Sequence, residues 1–374
     1  MQVQHIPVLI FAQSGRYLAQ SANQAGYTVW VADCFGDTDT LSAAERWQGL
    51  PAFAELSRQN IVTALSELTR GESCVLMCGS GIEQSYSLLF PLPVNIQLVG
   101  NTPDTIRKIK TPVLFFHLLE QLDFNYPATV FKPPTDDLTW LKKKSSGLGG
   151  AHIEYVDLNT NEINTEYYYQ HFVSGASGSC LFLANGYHAQ LLTINQQFFA
   201  AASDKRPPFL LGRIESAWQL SILHKNNLNR AINQITAATL LVGLNSLDFI
   251  LSDQNELLML EINPRPSASA ELVKNNATLF QNHIEACLGQ LPDPQKGVHK
   301  TKTSLFYHYA SRNYIIPEKM LWPTECSDLP CQGTIIKQNQ PICSSQVEDV
   351  RYNGAMKSHL MIEQKILKQL DKTK

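Results

Sequence analysis

Between residues 6 and 100, short apolar runs alternate with helix-like segments. That rhythm restricts the opening of the chain to a parallel sheet with helices packed on its faces. Ile6 to Phe11 reads as a buried strand, Ser14-Gly15 as a turn, Tyr17 to Ala25 as a helix stopped by Gly26, and Thr28 to Ala32 as a second strand ending at Asp33. Cys74 to Cys78 runs into Gly79-Ser80-Gly81, and Ile96 to Val99 runs into Gly100. The result is a small doubly wound sheet whose carboxyl-terminal loops face a ligand. Ser14-Gly15 and Asp33 supply only one of the three glycines of a dinucleotide fingerprint, which argues against NAD.

Beyond Gly100 the texture changes. Thr102 caps a helix at Asp104 to Lys108, and Pro112 to Leu122 reads as another. From Ala128 the chain is β-rich: Thr139 to Lys144, Ala151 to Tyr155, Thr165 to Val173, Ser179 to Leu183 and Tyr187 to Ile194. A helix at Leu228 to Leu241, a hairpin at Leu244 to Ile262 and a helix at Leu279 to Leu288 precede a linker at Gly289 to Lys296. The tail carries strands at Ser304 to Tyr309 and Thr334 to Ile336 and an amphipathic helix at Ala355 to Leu370. With 374 residues the chain has room for two or three domains, and these shifts divide it at 1–100, 101–295 and 296–374.

Composition narrows the class. A net charge of −3 gives no global positive field to recruit nucleic acid. The longest apolar runs fall short of the roughly 18–20 residues that span a bilayer, and no basic secretory start is present, so a cytoplasmic protein is expected. The 8 cysteines have no CxxC spacing, which removes zinc-ribbon and thioredoxin-like readings and leaves reduced core residues. Neither a GxSxG elbow nor a convincing Cys and His pair offers a nucleophile.

The most informative segment is the hairpin that holds Asp248, Glu261, Asn263 and Arg265. An even-length turn at Ser252 to Asn255 would set Asp248 opposite Met259. Glu261 would then lie diagonally beside Asp248 on the same face, roughly 7–8 Å away. Two carboxylates and an amide with no soft ligand suit Mg²⁺ or Mn²⁺, and Arg265 stands ready to steady an anion. The alternative is an exposed hairpin whose acids face water. Glu261 interrupts the apolar strand Leu257 to Ile262, which makes that the poorer account, although an odd-length turn would turn Asp248 to the other face.

Lys144-Ser145-Ser146-Gly147-Leu148-Gly149-Gly150 lies between two strands, where a flexible turn can fold its amides over phosphates and Lys144 can reach one as a point charge. Lys142 shares the face of Lys144, and Lys143 points away. Taken alone, such a loop is more often a plain turn, and no Walker pattern is present. Lys205, Arg206 and Arg213 form either an anion site or a solvated basic loop. Ser80-Gly81 and Glu83 either line the cleft or start a helix. His152, His188 and His224 stand alone and read as structural or exposed.

Together, the glycine-rich hairpin and the acidic hairpin ending Glu261-Ile262-Asn263-Pro264-Arg265 resemble the ATP-grasp superfamily. The resemblance implies an α/β and α+β multidomain chain: a doubly wound preATP-grasp domain, an ATP-grasp fold with a β-rich lid at about 128–170, and a C-terminal domain. It matches Asp248, Glu261 and Asn263 to metal ligands and Arg265 and Lys144 to the groups on the reacting phosphoryl. It matches Lys110, with Ser146, Gly147, Gly149 and Gly150 of the turn, to nucleotide contacts. Gln170, His171, Phe172 and Val173 match the segment that reads adenine. Asp248 stands where a Glu is more usual, and Gln170 where an acid is.

The likeness extends to predicted ATP-dependent carboligases related to biotin carboxylase and to tyramine-glutamate ligases, through residues 32–37, 79–83 and 261–269. It implies ATP, Mg²⁺, a carboxylate and an amine joined through an acyl phosphate, and a place in methanofuran or tetrahydromethanopterin-type cofactor biosynthesis. An ATP-dependent carboxylase acting on bicarbonate and a non-catalytic nucleotide-binding module are the alternatives. Relatives of this kind are commonly dimers, so a homodimer is expected.

Overall fold

The structure is a computed structural model that describes residues 6–145, 147, 149–156, 166–201, 206–293, 302–349 and 354–371. The first part comprises β1 (Val8–Phe11), α1 (Arg16–Gln24), β2 (Val29–Asp33), α2 (Thr38–Ala43), β3 (Arg46–Gly49), α3 (Arg58–Thr69), β4 (Cys74–Cys78), α4 (Ile82–Leu89) and β5 (Ile96–Leu98). Its strands form a parallel sheet in the order β3-β2-β1-β4-β5. Two helices, α5 (Pro103–Lys110) and α6 (Pro112–Gln121), lead to a four-stranded sheet of β6 (Thr129–Val130), β7 (Trp140–Lys144), β8 (Ile153–Tyr155) and β9 (Tyr167–His171).

Next come β10 (Gly175–Asn185), β11 (Ala189–Phe199), β12 (Leu211–Glu215), α7 (Ile222–Thr239), β13 (Val242–Ser252), β14 (Leu257–Asn263) and α8 (Asn276–Cys287). The tail holds β15 (Lys302–Tyr309), β16 (Tyr314–Ile315), β17 (Cys326–Ser327), β18 (Ile335–Ile336), β19 (Pro341–Asp349) and α9 (Gly354–Leu370). No helix among the described residues is long and apolar enough to cross a membrane.

The tail, expected as a domain over 296–374, is joined to the central part through a shared sheet. Its strands β15, β19 and β17 extend the central sheet, whose order is β14-β13-β10-β11-β12-β15-β19-β17, while β16 and β18 pair with each other. β15 pairs with β12 because Arg213 to Glu215 leaves an open edge that Ser304 to Phe306 completes. The tail keeps a small core of its own, where Ile362 and Ile366 of α9 meet Ile316 and Ile342.

The N-terminal sheet is covered on both sides, as its near-continuous burial requires. Ile61, Leu65 and Leu68 of α3 pack on Leu9, Phe11 and Leu76. On the other face, Leu18 and Ala22 of α1 are joined by Phe280 and Ile284, which α8 brings from the central part of the chain. The N-terminal part is thereby fixed to the sheet that carries the acidic hairpin.

His283 strengthens that junction. Leu244 N–H donates to its Nδ1 at 2.9 Å, and its Nε2–H donates to Val99 O at 3.2 Å. Burial pushes the ring from 6.5 down to about 4, so it stays neutral. A depressed folded value means stability that is complete above the unfolded value and is lost as pH falls from 6.5 through about 4. The difference in unfolding free energy between the wild type and His283→Gln should therefore shrink by about 3 kcal/mol between pH 7 and pH 4. Urea titrations measure this, and a difference that stays constant with pH would contradict it.

Candidate active site

The acidic hairpin forms by a register that differs from the expected one. Its turn is odd, with Ser252 N–H donating to Glu256 O at 2.9 Å and Leu251 opposite Leu257. By itself that slip would put Asp248 and Glu261 on opposite faces. A bulge at Leu260 reverses it: Phe249 pairs with Met259, and Asp248 pairs directly with Glu261. Asn263, opposite Ser246, continues on the same face and donates Nδ2–H to Asp248 Oδ2 at 3.3 Å. The three groups come together by direct pairing rather than by the expected diagonal.

Cations surround the two carboxylates from three directions. Lys110, the last residue of α5, sets Nζ 2.7 Å from Glu261 Oε2. Burial works to lower Lys110, but Glu261 and Glu83 outweigh it and hold the ammonium above its ordinary value. Arg265 follows the hairpin and donates Nε–H to Glu83 Oε1 at 2.7 Å, with its Nη2 3.5 Å from Asn263 Oδ1. Glu83 lies in the first turn of α4, so the helix-start reading and the cleft-lining reading both describe it. Its side chain is 1% exposed, and its Oε2 has no hydrogen-bond partner among the described residues.

The third cation is Lys143, from the strand that precedes the glycine turn. Lys142 and Lys144 do share a face, but it is the outer one: Lys144 pairs with Glu166 at 3.4 Å, and Lys142 lies over Tyr167 at 4.3 Å. Lys144 lines a recess of about 380 Å³ with His152, Tyr167 and Pro207. Lys143 faces inward with Tyr168, its partner across the ladder. Burial lowers Lys143 from 10.5 to about 8 against the pull of Glu261 and Asp248.

Burial and Glu261 together raise the Asp248 carboxyl, whereas Lys110 outweighs burial at Glu261 and holds it below the ordinary range. Glu261 remains open to the cleft, its side chain 41% exposed. Two hard carboxylates and an amide oxygen, crowded enough to raise one acid, form a donor set that fits Mg²⁺ or Mn²⁺.

Part of the segment expected to read adenine makes contacts within the fold. Gln170 is buried, accepts from Lys143 Nζ at 2.6 Å and donates to Thr129 Oγ1 at 3.0 Å, so it positions the lysine. His171 N–H donates to Ala128 O at 2.8 Å, and Phe172 packs with Tyr155 and Phe209. Val173 lies where the chain passes from β9 to β10.

In the glycine turn, Gly147 N–H donates to Lys144 O at 3.0 Å, and a Cβ on Gly147 would stand 1.9 Å from the His152 ring. Gly149 O accepts from Leu211 N–H at 3.2 Å, while Gly150, at φ +77°, would drive a Cβ to 1.9 Å from Phe209 O. Its glycines therefore let the turn dock on the central sheet. Ser146 and Lys205 lie outside the described residues.

Other single residues resolve as well. His152 bears on Glu261 and helps keep it ionised. His224 is a structural residue whose Nε2 lies 3.2 Å from Asn255 O. The exposed His188 has its backbone N–H held by Asn185 at 2.8 Å. Arg206 donates to Ala201 O at 3.2 Å, and Arg213 pairs with Glu215 at 3.0 Å. Asp33 accepts from Gly15, Gly36 and Trp47 and is committed to the fold. Asn101 escaped the sequence reading: it donates to Pro264 O at 2.9 Å and accepts from Val242 N–H at 2.8 Å, which fixes the exit of the hairpin.

Residues 111–269 match the family model described as the ATP-grasp domain. This segment, less than half of the chain, is similar to ATP-grasp domains. No curated protein matches. Among solved structures, a biotin carboxylase complex from Campylobacter jejuni aligns with TM-score 0.75 at 11% identity, over 97% of this chain and 92% of that one. An L-amino acid ligase from Bacillus licheniformis aligns with TM-score 0.65 at 13% identity, over 96% and 98%. N5-carboxyaminoimidazole synthetase from Staphylococcus aureus aligns with TM-score 0.66 at 14% identity, over 96% and 97%. These likenesses show a shared fold over nearly the whole chain.

The two lysines separate experimentally. Lys143→Met should weaken ATP binding at least ~10-fold, the size of one charge-assisted hydrogen bond, and Lys144→Met should change it less than about threefold. Isothermal titration with Mg-ATP measures both, and the reverse order would show that the outer face binds the nucleotide.

Proposed function

We propose that the protein is an ATP- and Mg²⁺-dependent, ADP-forming ligase that joins a carboxylate to an amine. The observation that carries this reading is the Asp248, Glu261 and Asn263 face with Lys110, Lys143 and Arg265 around it. In this reading Asp248, Glu261 and Asn263 hold Mg²⁺, which when bound offsets charge on the ATP phosphates. Lys110 and Lys143 hold phosphate oxygens, and Arg265, fixed by Glu83, faces the charge that develops on the transferred group.

A substrate carboxylate oxygen attacks the γ-phosphorus, the bond to the β,γ-bridging oxygen breaks, and ADP leaves. Attack of the amine on the acyl carbon then forms the amide and releases phosphate, which takes up the amine proton. Gly149 and Gly150, docked on Leu211 and Phe209, keep the turn closed over the cleft and exclude water from the acyl phosphate.

The finer part of the proposal is the substrate setting. The carboligase likeness points to furan and pterin precursors of one-carbon cofactors, and a phosphate-release screen over these and over amino acids identifies the pair. With the active pair, ¹⁸O in the substrate carboxylate should appear in the released phosphate. Phosphate free of ¹⁸O would exclude the acyl phosphate. Glu261→Gln and Asn263→Ala should each lower turnover ~100-fold or more with the fold intact, as loss of a preorganised charge-stabilising group does. A second reading, carboxylation through carboxyphosphate, draws on the biotin carboxylase likeness and would show as ADP release that requires bicarbonate and no amino acid.

A further inference from the structure

A second polar cluster lies far from the hairpin, between the tail strands and the terminal helix. Along β15, Leu305 and Tyr307 pack on one face with Ile214 and Leu272. Phe306 and His308 project from the other, toward α9. His359 of α9 stacks on Phe306 at 4.3 Å between ring centroids and lies 4.9 Å from the His308 ring. Glu363 follows His359 by one helical turn on the same face. Ligand atoms of His308, His359 and Glu363 all lie within 4.8 Å of one another.

Two features make this more than a chance meeting. The Nδ1 atoms of His308 and His359 are both buried, and neither has a hydrogen-bond partner among the described residues. His308 Nε2 lies 2.8 Å from Ser345 Oγ, and in the tautomer that donates Nε2–H to that oxygen, Nδ1 presents a bare lone pair. Arg213 is the cation that bears on His359. Its charge is already shared with Glu215 at 3.0 Å, and it rests on Phe198 at 3.9 Å.

We propose that His308, His359 and Glu363 bind one Zn²⁺ ion that fastens α9 to the central sheet and keeps a fourth position for water. Two imidazoles and a carboxylate suit this borderline cation in tetrahedral geometry, whereas the all-oxygen hairpin suits Mg²⁺. One strand and one helix supply the ligands, so binding ties the terminal helix to a strand about 50 residues before it.

The probe is Zn²⁺ itself. Full-length protein dialysed against a chelator and titrated with Zn²⁺ under excess Mg²⁺ should bind one tight equivalent per chain and melt at higher temperature. His359→Asn and Glu363→Gln should each weaken that site at least tenfold while leaving ATP affinity unchanged, and Asp248→Asn should leave the zinc in place. Glu363 is half-buried on the helix edge, so its variant carries the test if His359→Asn fails to fold. Absence of a tight equivalent, zinc affinity undiminished in Glu363→Gln, or zinc lost in Asp248→Asn would each overturn the assignment.

Discussion

Asp248 and Glu261 face each other directly across two hydrogen-bonded strands, and much of the molecule is arranged around that repulsion. Like charges opposite one another in a ladder are destabilising unless cations compensate them. Each compensating cation arrives from a different part of the chain: Lys110 from the end of α5, Lys143 from the four-stranded sheet, Arg265 from the hairpin exit. Glu83, from the N-terminal part, then fixes Arg265, and Asn101 holds the strand ends that carry it. Two sheets and the helices α4 and α5 each bring a group to this point.

The same requirement accounts for the junctions. α8 packs Phe280 and Ile284 against the parallel sheet, and His283 bonds Leu244 to Val99. These contacts hold α4, and with it Glu83, at a fixed distance from the hairpin. On the opposite side, Gly150 admits the backbone of Phe209 where any side chain would collide, which seats the β7–β8 turn on the central sheet and leaves Lys143 facing the acids. The arrangement is preorganised, which is what stabilisation of a transferred phosphoryl group needs.

Much of this was legible in the chain. Apolar runs between glycines mark β1, β2 and β4 within a residue or two, and Glu261 inside an apolar strand marks the acidic face. What local pattern could not supply was long-range. Period two separates Lys143 from its neighbours without saying which face is inner, because that depends on β9 and on a hairpin more than a hundred residues away. The bulge at Leu260 has no glycine to signal it and compensates a turn of unexpected length. Glu83 and Asn101 act on Arg265 and Pro264 across 182 and 163 residues. The short strand Leu211–Glu215 carries too weak a pattern to be read alone, and missing it hid the union of tail and central sheet.

The central claim, that the paired carboxylates hold Mg²⁺ for ATP, is tested most directly by calorimetry of ATP binding with and without Mg²⁺ in the wild type and in Asp248→Asn and Glu261→Gln. The wild type should bind ATP at least ~10-fold more tightly with the metal, and each variant should lose most of that dependence, since Mg²⁺ is held by carboxylates together with phosphate oxygens. Metal dependence that persists unchanged in both variants would place the ion elsewhere and contradict the account.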